Sequence, residues 1–153
     1  MRSKTSNPEK YIRFFGLRTH GRTITGTPVT EIVYVHSKLL IVDDAIALIG
    51  SANINDRSMV GYRDSELAVV IEDDFNISSK MAGVDHTAKR FAYSLRRNCW
   101  KRIFGFDHLY EVDDPLSVEM WRIIDMQTWR NEEIYREVFG CYPDNKITKM
   151  EEV

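Results

Sequence analysis

The sequence predicts an α/β fold in which a mixed sheet carries helices packed against it. Two observations predict it. The first half holds short apolar runs rich in Val, Ile, Leu and aromatic residues, broken by Gly, Pro and Asp. The second half changes period, with apolar residues recurring at three and four residue steps. In order, strands are expected at Tyr11 to Leu17, Glu31 to Val42, Ala45 to Ile49 and Glu66 to Ile71. Thr19 to Thr30, with Gly21, Gly26 and Pro28, reads as a loop, and Asp43-Asp44 between two apolar runs reads as a tight hairpin turn. From Thr87 to Phe104 the set Phe91, Ala92, Leu95, Cys99 and Ile103 marks one face of an amphipathic helix that Gly105 ends. Leu116 to Phe139 is expected to be helical in one or two pieces. Its core candidates are Met120, Ile123, Ile124, Trp129, Ile134, Tyr135, Val138 and Phe139, and Gly140 and Pro143 stop it.

Composition narrows the function class. The chain has 153 residues, net charge −2, 43% apolar and 29% charged residues, which suits one globular domain large enough to bury a core. The division expected is a polar segment 1–10, a catalytic half 11–142 and a polar, frayed tail 143–153. No apolar run approaches the ~18 residues of a membrane span, and Met1 to Lys10 has no apolar signal region. The expectation is therefore a cytoplasmic protein. Cys99 and Cys141 are too few for a disulfide framework and have no CxxC spacing, and His20, His86 and His108 lack partners at metal-ligand spacing. Near-neutral charge argues against a dedicated nucleic-acid binder. The basic group Lys89, Arg90, Arg96, Arg97, Lys101 and Arg102 reads as a solvated helix face, with a membrane surface as the alternative. Trp100, Trp121 and Trp129 are expected in the core or an interface.

The chemistry concentrates between residues 36 and 66. On an extended strand His36 and Lys38 point the same way, about 6–7 Å apart, a gap that suits one phosphate group. Imidazole supplies a nucleophile or general acid near neutral pH, and ammonium supplies a fixed positive charge for phosphoryl oxygens. Asp43 follows, then Gly50-Ser-Ala-Asn53. Gly50 permits close backbone approach to a ligand, and Ser51 and Asn53 offer hydrogen bonds to phosphoryl oxygens without adding charge. Asp43 or Glu66 is a candidate to hold the second ring nitrogen of His36. As a bare pattern this competes with a strand that exposes a His and a Lys for solubility alone.

Three stretches tip the balance: Tyr34-Val-His-Ser-Lys-Leu-Leu-Ile-Val-Asp-Asp44, then Ile49-Gly-Ser-Ala-Asn-Ile-Asn-Asp-Arg-Ser-Met59, then Arg63-Asp-Ser-Glu-Leu-Ala68. Together they resemble the second HKD motif of the phospholipase D family. Phe15-Gly-Leu-Arg-Thr-His20 and the segment from Arg90 to Arg97 resemble its animal-type, phosphatidylcholine-hydrolysing members. The resemblance is dense over residues 11–72 and looser to about 142. It implies half of a duplicated sandwich, and a phosphodiesterase working through a covalent phosphohistidine where two HKD motifs meet. By that resemblance His36 is the acid to the departing choline and then the base for water. Lys38 and Asn53 bind phosphoryl oxygens, Glu66 orients the histidine, and Asp43 and Ser51 support from behind. No metal or other cofactor is needed, because Lys and Asn take over its electrostatic role. The implied partners are a phospholipid at a membrane surface and either the first HKD half or a second copy.

Only one such motif is present, so the expectation is a C-terminal fragment, incomplete alone and poorly soluble where its aromatics lack cover. Two alternatives stand beside it. One is a single-motif nuclease or phosphodiesterase that pairs His36 with its copy across a two-fold axis. The other is an inactive fragment acting as an interaction module.

Overall fold

The computed structural model describes residues 11–106 and 112–140, and these fall into two compact units that divide between Val35 and His36. The first unit is an antiparallel hairpin of β1 (Arg18–Arg22) and β2 (Pro28–Ile32), with Arg18 opposite Ile32 and Arg22 opposite Pro28. Two expectations change here. Tyr11 to Leu17 is not a strand despite its aromatic density, and the segment expected to be a loop, Thr19 to Thr30, supplies most of the hairpin. The Val and Thr residues of β2 favour extended backbone, and Gly26 (φ 83°) serves only the tip.

In the second unit β3 (Lys38–Val42), β4 (Ile46–Gly50) and β5 (Ala68–Glu72) form an antiparallel sheet in that order. The strand expected from Glu31 to Val42 is thus broken: residues 33–37 are irregular, and His36 stands just before β3 rather than within it. Asp43, Asp44 and Ala45 turn β3 into β4, as expected for the hairpin. Asp43 and Asp44 both take left-handed conformations (φ 51° and 52°), which Asp tolerates better than most residues. A second hairpin, β6 (Asn76–Met81) and β7 (Val84–Lys89), turns through Ala82 and Gly83, both at positive φ. Nothing in the sequence reading anticipated it.

The helix expected from Thr87 starts three residues later, because β7 runs to Lys89; α2 spans Arg90–Phe104 and ends at Gly105 in a left-handed cap. Lys89 offers no side-chain cap. Instead Asp73 accepts the Phe91 N–H and the Phe75 N–H. These bonds, the one from Phe91 first, hold the Asp73 carboxyl below the usual carboxylate range against the cost of desolvation. A short turn of helix, α1 (Asp56–Met59), is capped by Asn55, and α3 (Val118–Phe139) runs unbroken from a Ser117 cap to Gly140.

The core lies where α2 and α3 meet: Val112, Met120 and Ile124 are buried, with Trp100, Phe104, Phe106, Trp121 and Ile123 packed around them. Ala47, Ala88 and Ala92 are also buried, so the strands approach α2 through small side chains. Of the core candidates on α3, Met120 and Ile124 are buried, whereas Trp129, Ile134 and Val138 are exposed; on α2, Phe91 and Ile103 are exposed too. A hydrophobic period identifies a face but does not say what covers it.

Arg96 departs furthest from the expectation of a solvated basic face. It is 5% exposed and its guanidinium grips Asp44, 2% exposed, through Nε to Oδ1 (2.6 Å) and Nη2 to Oδ2 (2.7 Å). It also donates to the Val112 and Asp113 carbonyls, and Trp100 lies 5.3 Å from the guanidinium carbon. The neighbouring Arg97 pairs with Asp113 at 2.6 Å. Asp114 accepts N–H groups of Gly83 (2.7 Å), Ala82 (2.9 Å) and Leu116 (3.0 Å), joining the second hairpin to the start of α3. Its partial burial opposes ionisation, but these bonds outweigh it and its pKa is lowered. Among the described residues no helix is long and apolar enough to cross a membrane.

Candidate active site

The site forms at one end of the three-stranded sheet, where the register sets Lys38 opposite Gly50 and Gly50 opposite Ala68. Gly50 is required there by space. A Cβ on it would lie 2.8 Å from the Ala68 Cβ, 2.8 Å from the Leu67 carbonyl oxygen and 3.1 Å from the Ala68 Cα. Two of those atoms are backbone and cannot swing aside, so the sheet closes tightly at this end because residue 50 has no side chain.

One residue beyond, Ser51 extends the β4–β5 ladder, its N–H donating to the Leu67 carbonyl (2.9 Å) while its hydroxyl accepts the Leu67 N–H (3.0 Å). The same hydroxyl donates a hydrogen bond to Glu66. The Leu67 carbonyl, at 3.4 Å, is a second and more distant acceptor for its proton. In this arrangement Ser51, expected to bind a phosphoryl oxygen and to support the site from behind, holds Glu66. The hydrogen bond from Ser51, then one from Ser58, lower the Glu66 pKa below 4.5, with a smaller contribution from the Lys38 charge. Glu66 is therefore an anion kept ionised beside a cation.

Ser58 has a second task. Its hydroxyl accepts the Asn53 N–H (3.0 Å), and its own N–H donates to the Asn55 cap (3.1 Å), so α1 fixes the backbone of the Gly50–Asn53 loop. The Asn53 side chain stays exposed. The sequence signal was the Asn-x-x-Ser spacing of a helix cap, legible in residues 55–58. Lys38 folds its ammonium onto the His36 carbonyl at 2.7 Å, and His36 itself is exposed. Lys38, Ser51, Asn53 and Glu66 thus gather at one sheet end, with His36 two residues ahead of Lys38.

Asp43 does not join them. Five residues separate it from Lys38 along an extended strand, about 16 Å at 3.3 Å per residue, which puts it at the opposite end of the hairpin. There its carbonyl meets the His86 ring (2.8 Å), and the Asp44 carbonyl accepts the Lys89 N–H (2.8 Å). Asp43, expected as a catalytic or supporting residue, stands in the turn between β3 and β4. His86, without partners at metal-ligand spacing in the sequence, helps hold that turn. A groove of about 420 Å³ lies under the other face of the sheet, lined by Leu39, Ile41, Trp100 and Trp121, so it is not the cleft of this site.

Comparison with known proteins shows the family. The sequence profile described as "Phospholipase D" matches residues 18–143. The chain belongs to the phospholipase D family. Phospholipase D1 of Rattus norvegicus is 47% identical over 143 residues, which cover 92% of this chain and 13% of the rat protein. Phospholipase D2 of Bos taurus is 48% identical over 143 residues, covering 92% of this chain and 15% of the bovine one. Phospholipase D zeta 2 of Arabidopsis thaliana is 45% identical over 143 residues, 91% of this chain and 14% of the plant protein. The chain therefore spans about one seventh of the length of these relatives.

Proposed function

We infer that this chain supplies one half of a phospholipase D active site, hydrolysing phosphatidylcholine to phosphatidate and choline. The observation that carries this reading is the sheet end itself: Lys38, Gly50 and Ala68 in one row, with Ser51 fastening Glu66 beside them. In the first step a histidine from the other half attacks phosphorus. A P–N bond forms as the P–O bond to choline breaks, and His36 gives its proton to the departing choline oxygen. In the second step His36 takes a proton from water as the water oxygen bonds to phosphorus and the P–N bond breaks. Lys38 and the Asn53 amide hold the phosphoryl oxygens, whose negative charge grows in both transition states. Glu66 orients His36 and favours its charged form, a role its depressed pKa supports.

The other half covers the Lys38 face of the sheet. Leu40, Val42 and Val70 lie exposed on that face, an apolar surface continuous with the site. The site works at a membrane surface, where its substrate resides. Residues 11–142 are the catalytic half-domain, with polar segments on either side.

The test is a chimera in which residues of this chain replace the matching 143-residue stretch of rat phospholipase D1, assayed for choline release from a short-chain phosphatidylcholine in free solution. Release that His36→Ala abolishes supports the reading; release that survives His36→Ala overturns it. The chain assayed alone is expected to release no choline. His36-dependent release from it would mean that two copies complete the site.

A further inference from the structure

The β1–β2 hairpin has a chemistry of its own. Along β1, residues 18, 20 and 22 fall on one face, so Arg18, His20 and Arg22 form a stripe with about 6.8 Å between successive members. Opposite them on the same face stand Ile32, Thr30 and Pro28, none of them acidic. Residues 11–35 hold three arginines against one carboxylate, Glu31, and Glu31 pairs with Thr19 on the other face. A chain of net charge −2 thus concentrates positive charge on one side of one hairpin.

At the tip stands Ile24, 106% exposed, with no contact along its side chain to bury it. Several polar groups of the turn bond within it. Thr23 N–H donates to the Thr27 carbonyl (2.9 Å), Gly26 N–H to the Thr23 carbonyl (2.9 Å) and Thr27 N–H to the Thr23 hydroxyl (3.1 Å). The Thr23 and Thr25 hydroxyls share a bond of 2.8 Å, and Arg22 caps the Gly26 carbonyl at 2.9 Å. The N–H groups of Thr23, Gly26 and Thr27 keep these partners when water is withdrawn, which lowers the cost of entering the headgroup region of a bilayer.

We propose that the β1–β2 hairpin docks on an anionic phospholipid surface, with Ile24 inserted between headgroups and Arg18, His20 and Arg22 facing lipid phosphates and carboxylates. Charge complementarity and the apolar tip choose this partner together. A nucleic acid would use the stripe but offers Ile24 nothing, and a purely apolar protein groove would use Ile24 but strand the arginines. The proposal rests on the phospholipase D reading for its choice of lipid.

The experiment is flotation of the whole 153-residue chain with vesicles of phosphatidylcholine alone and of phosphatidylcholine containing one fifth phosphatidylserine. Binding is expected to the anionic vesicles, at least tenfold weaker to the neutral ones, and released by half-molar salt. Ile24→Asp should weaken binding to anionic vesicles at least fivefold, Arg18→Gln with Arg22→Gln likewise, and Arg18→Lys with Arg22→Lys should restore most of it. Circular dichroism confirms that each variant is folded, and Ile24→Ser replaces Ile24→Asp if that variant is not. No binding by the folded wild-type chain, equal binding to both vesicles, or binding indifferent to the tip and stripe variants would each overturn the proposal. So would a change in self-association in place of lost vesicle binding, since the hairpin would then be a protein contact. The two readings fail separately: short-chain choline release by the chimera reads His36 without a bilayer, and vesicle binding should survive His36→Ala.

Discussion

Replacing Arg96 with Met should cost about 3–5 kcal/mol, and the structure shows why so exposed-looking a residue in the sequence carries so much. Arg96 and Asp44 are both almost fully buried, and the guanidinium spends four donated hydrogen bonds there, two on Asp44 and one each on the Val112 and Asp113 carbonyls. Met fills the space of the stem but leaves a carboxylate and two carbonyls in a dry site, and removing one partner of a buried pair typically destabilises by about 3–5 kcal/mol. In a chain of this size each kcal/mol moves the midpoint by about 2–4 °C, so Tm should fall by about 6–20 °C. The measurement is urea and thermal unfolding of the 153-residue chain followed by far-ultraviolet circular dichroism. Asp44→Asn tolerates the left-handed backbone yet leaves the arginine unpaired, and should also destabilise. Because the two side chains touch, the double variant should be more stable than the sum of the single losses predicts, by about 0.5–3 kcal/mol. A loss under about 1 kcal/mol for Arg96→Met, or additive losses in the double variant, would refute the claim that this pair anchors the β3–β4 turn to α2.

Two further outcomes follow from the site. Gly50→Ala should destabilise by about 1–3 kcal/mol, as overpacking against backbone does, and should impair choline release by the chimera beyond that loss, because the Lys38–Gly50–Ala68 row must open to admit the methyl. Activity unchanged at full stability would show that the sheet end yields easily. Glu66 should titrate below 4.5, so the stability it contributes is present above its unfolded pKa and fades as pH falls through the lower folded value. Carboxyl carbon NMR reads that midpoint directly. Ser51→Ala should move it upward, and an unchanged midpoint would mean that the Ser51 hydroxyl does not hold the carboxylate.

What the sequence disclosed of the fold followed local chemistry. Asp43-Asp44 between apolar runs gave the β3–β4 turn, and Gly105 and Gly140 marked the ends of α2 and α3, because left-handed backbone restricts the choice of residue. The β6–β7 hairpin escaped because Asn-Ile-Ser-Ser-Lys-Met is polar at most positions, with half-buried Ile77, Ser79 and Met81 the faint alternation and Ala82-Gly83 the turn signal. Tyr11 to Leu17 misled in the opposite sense. Aromatic density suggests a strand, but pairing decides one, and β2 pairs with residues 18–22 instead. Trp129, Ile134 and Val138 show the same limit on a helix, where periodicity placed them on an apolar face that the described structure leaves open.

For the site, distance along the chain differs from distance in space. His36, Lys38 and Asp43 read as one cluster because they lie within eight residues, yet an extended strand turns the last five into about 16 Å. Glu66 lies twenty-eight residues after Lys38 and reaches the same sheet end, because β4 returns the chain antiparallel to that end and β5 starts from it. The register that makes this possible is held at the far end, by Asp44 against Arg96 and by the Asp43 carbonyl against His86. A slip of one residue there would turn Lys38 to the opposite face and bring a side chain to the place only Gly50 fits. The aspartates after the histidine and lysine therefore hold the strand that joins them, and with it the face of the sheet that the lysine occupies.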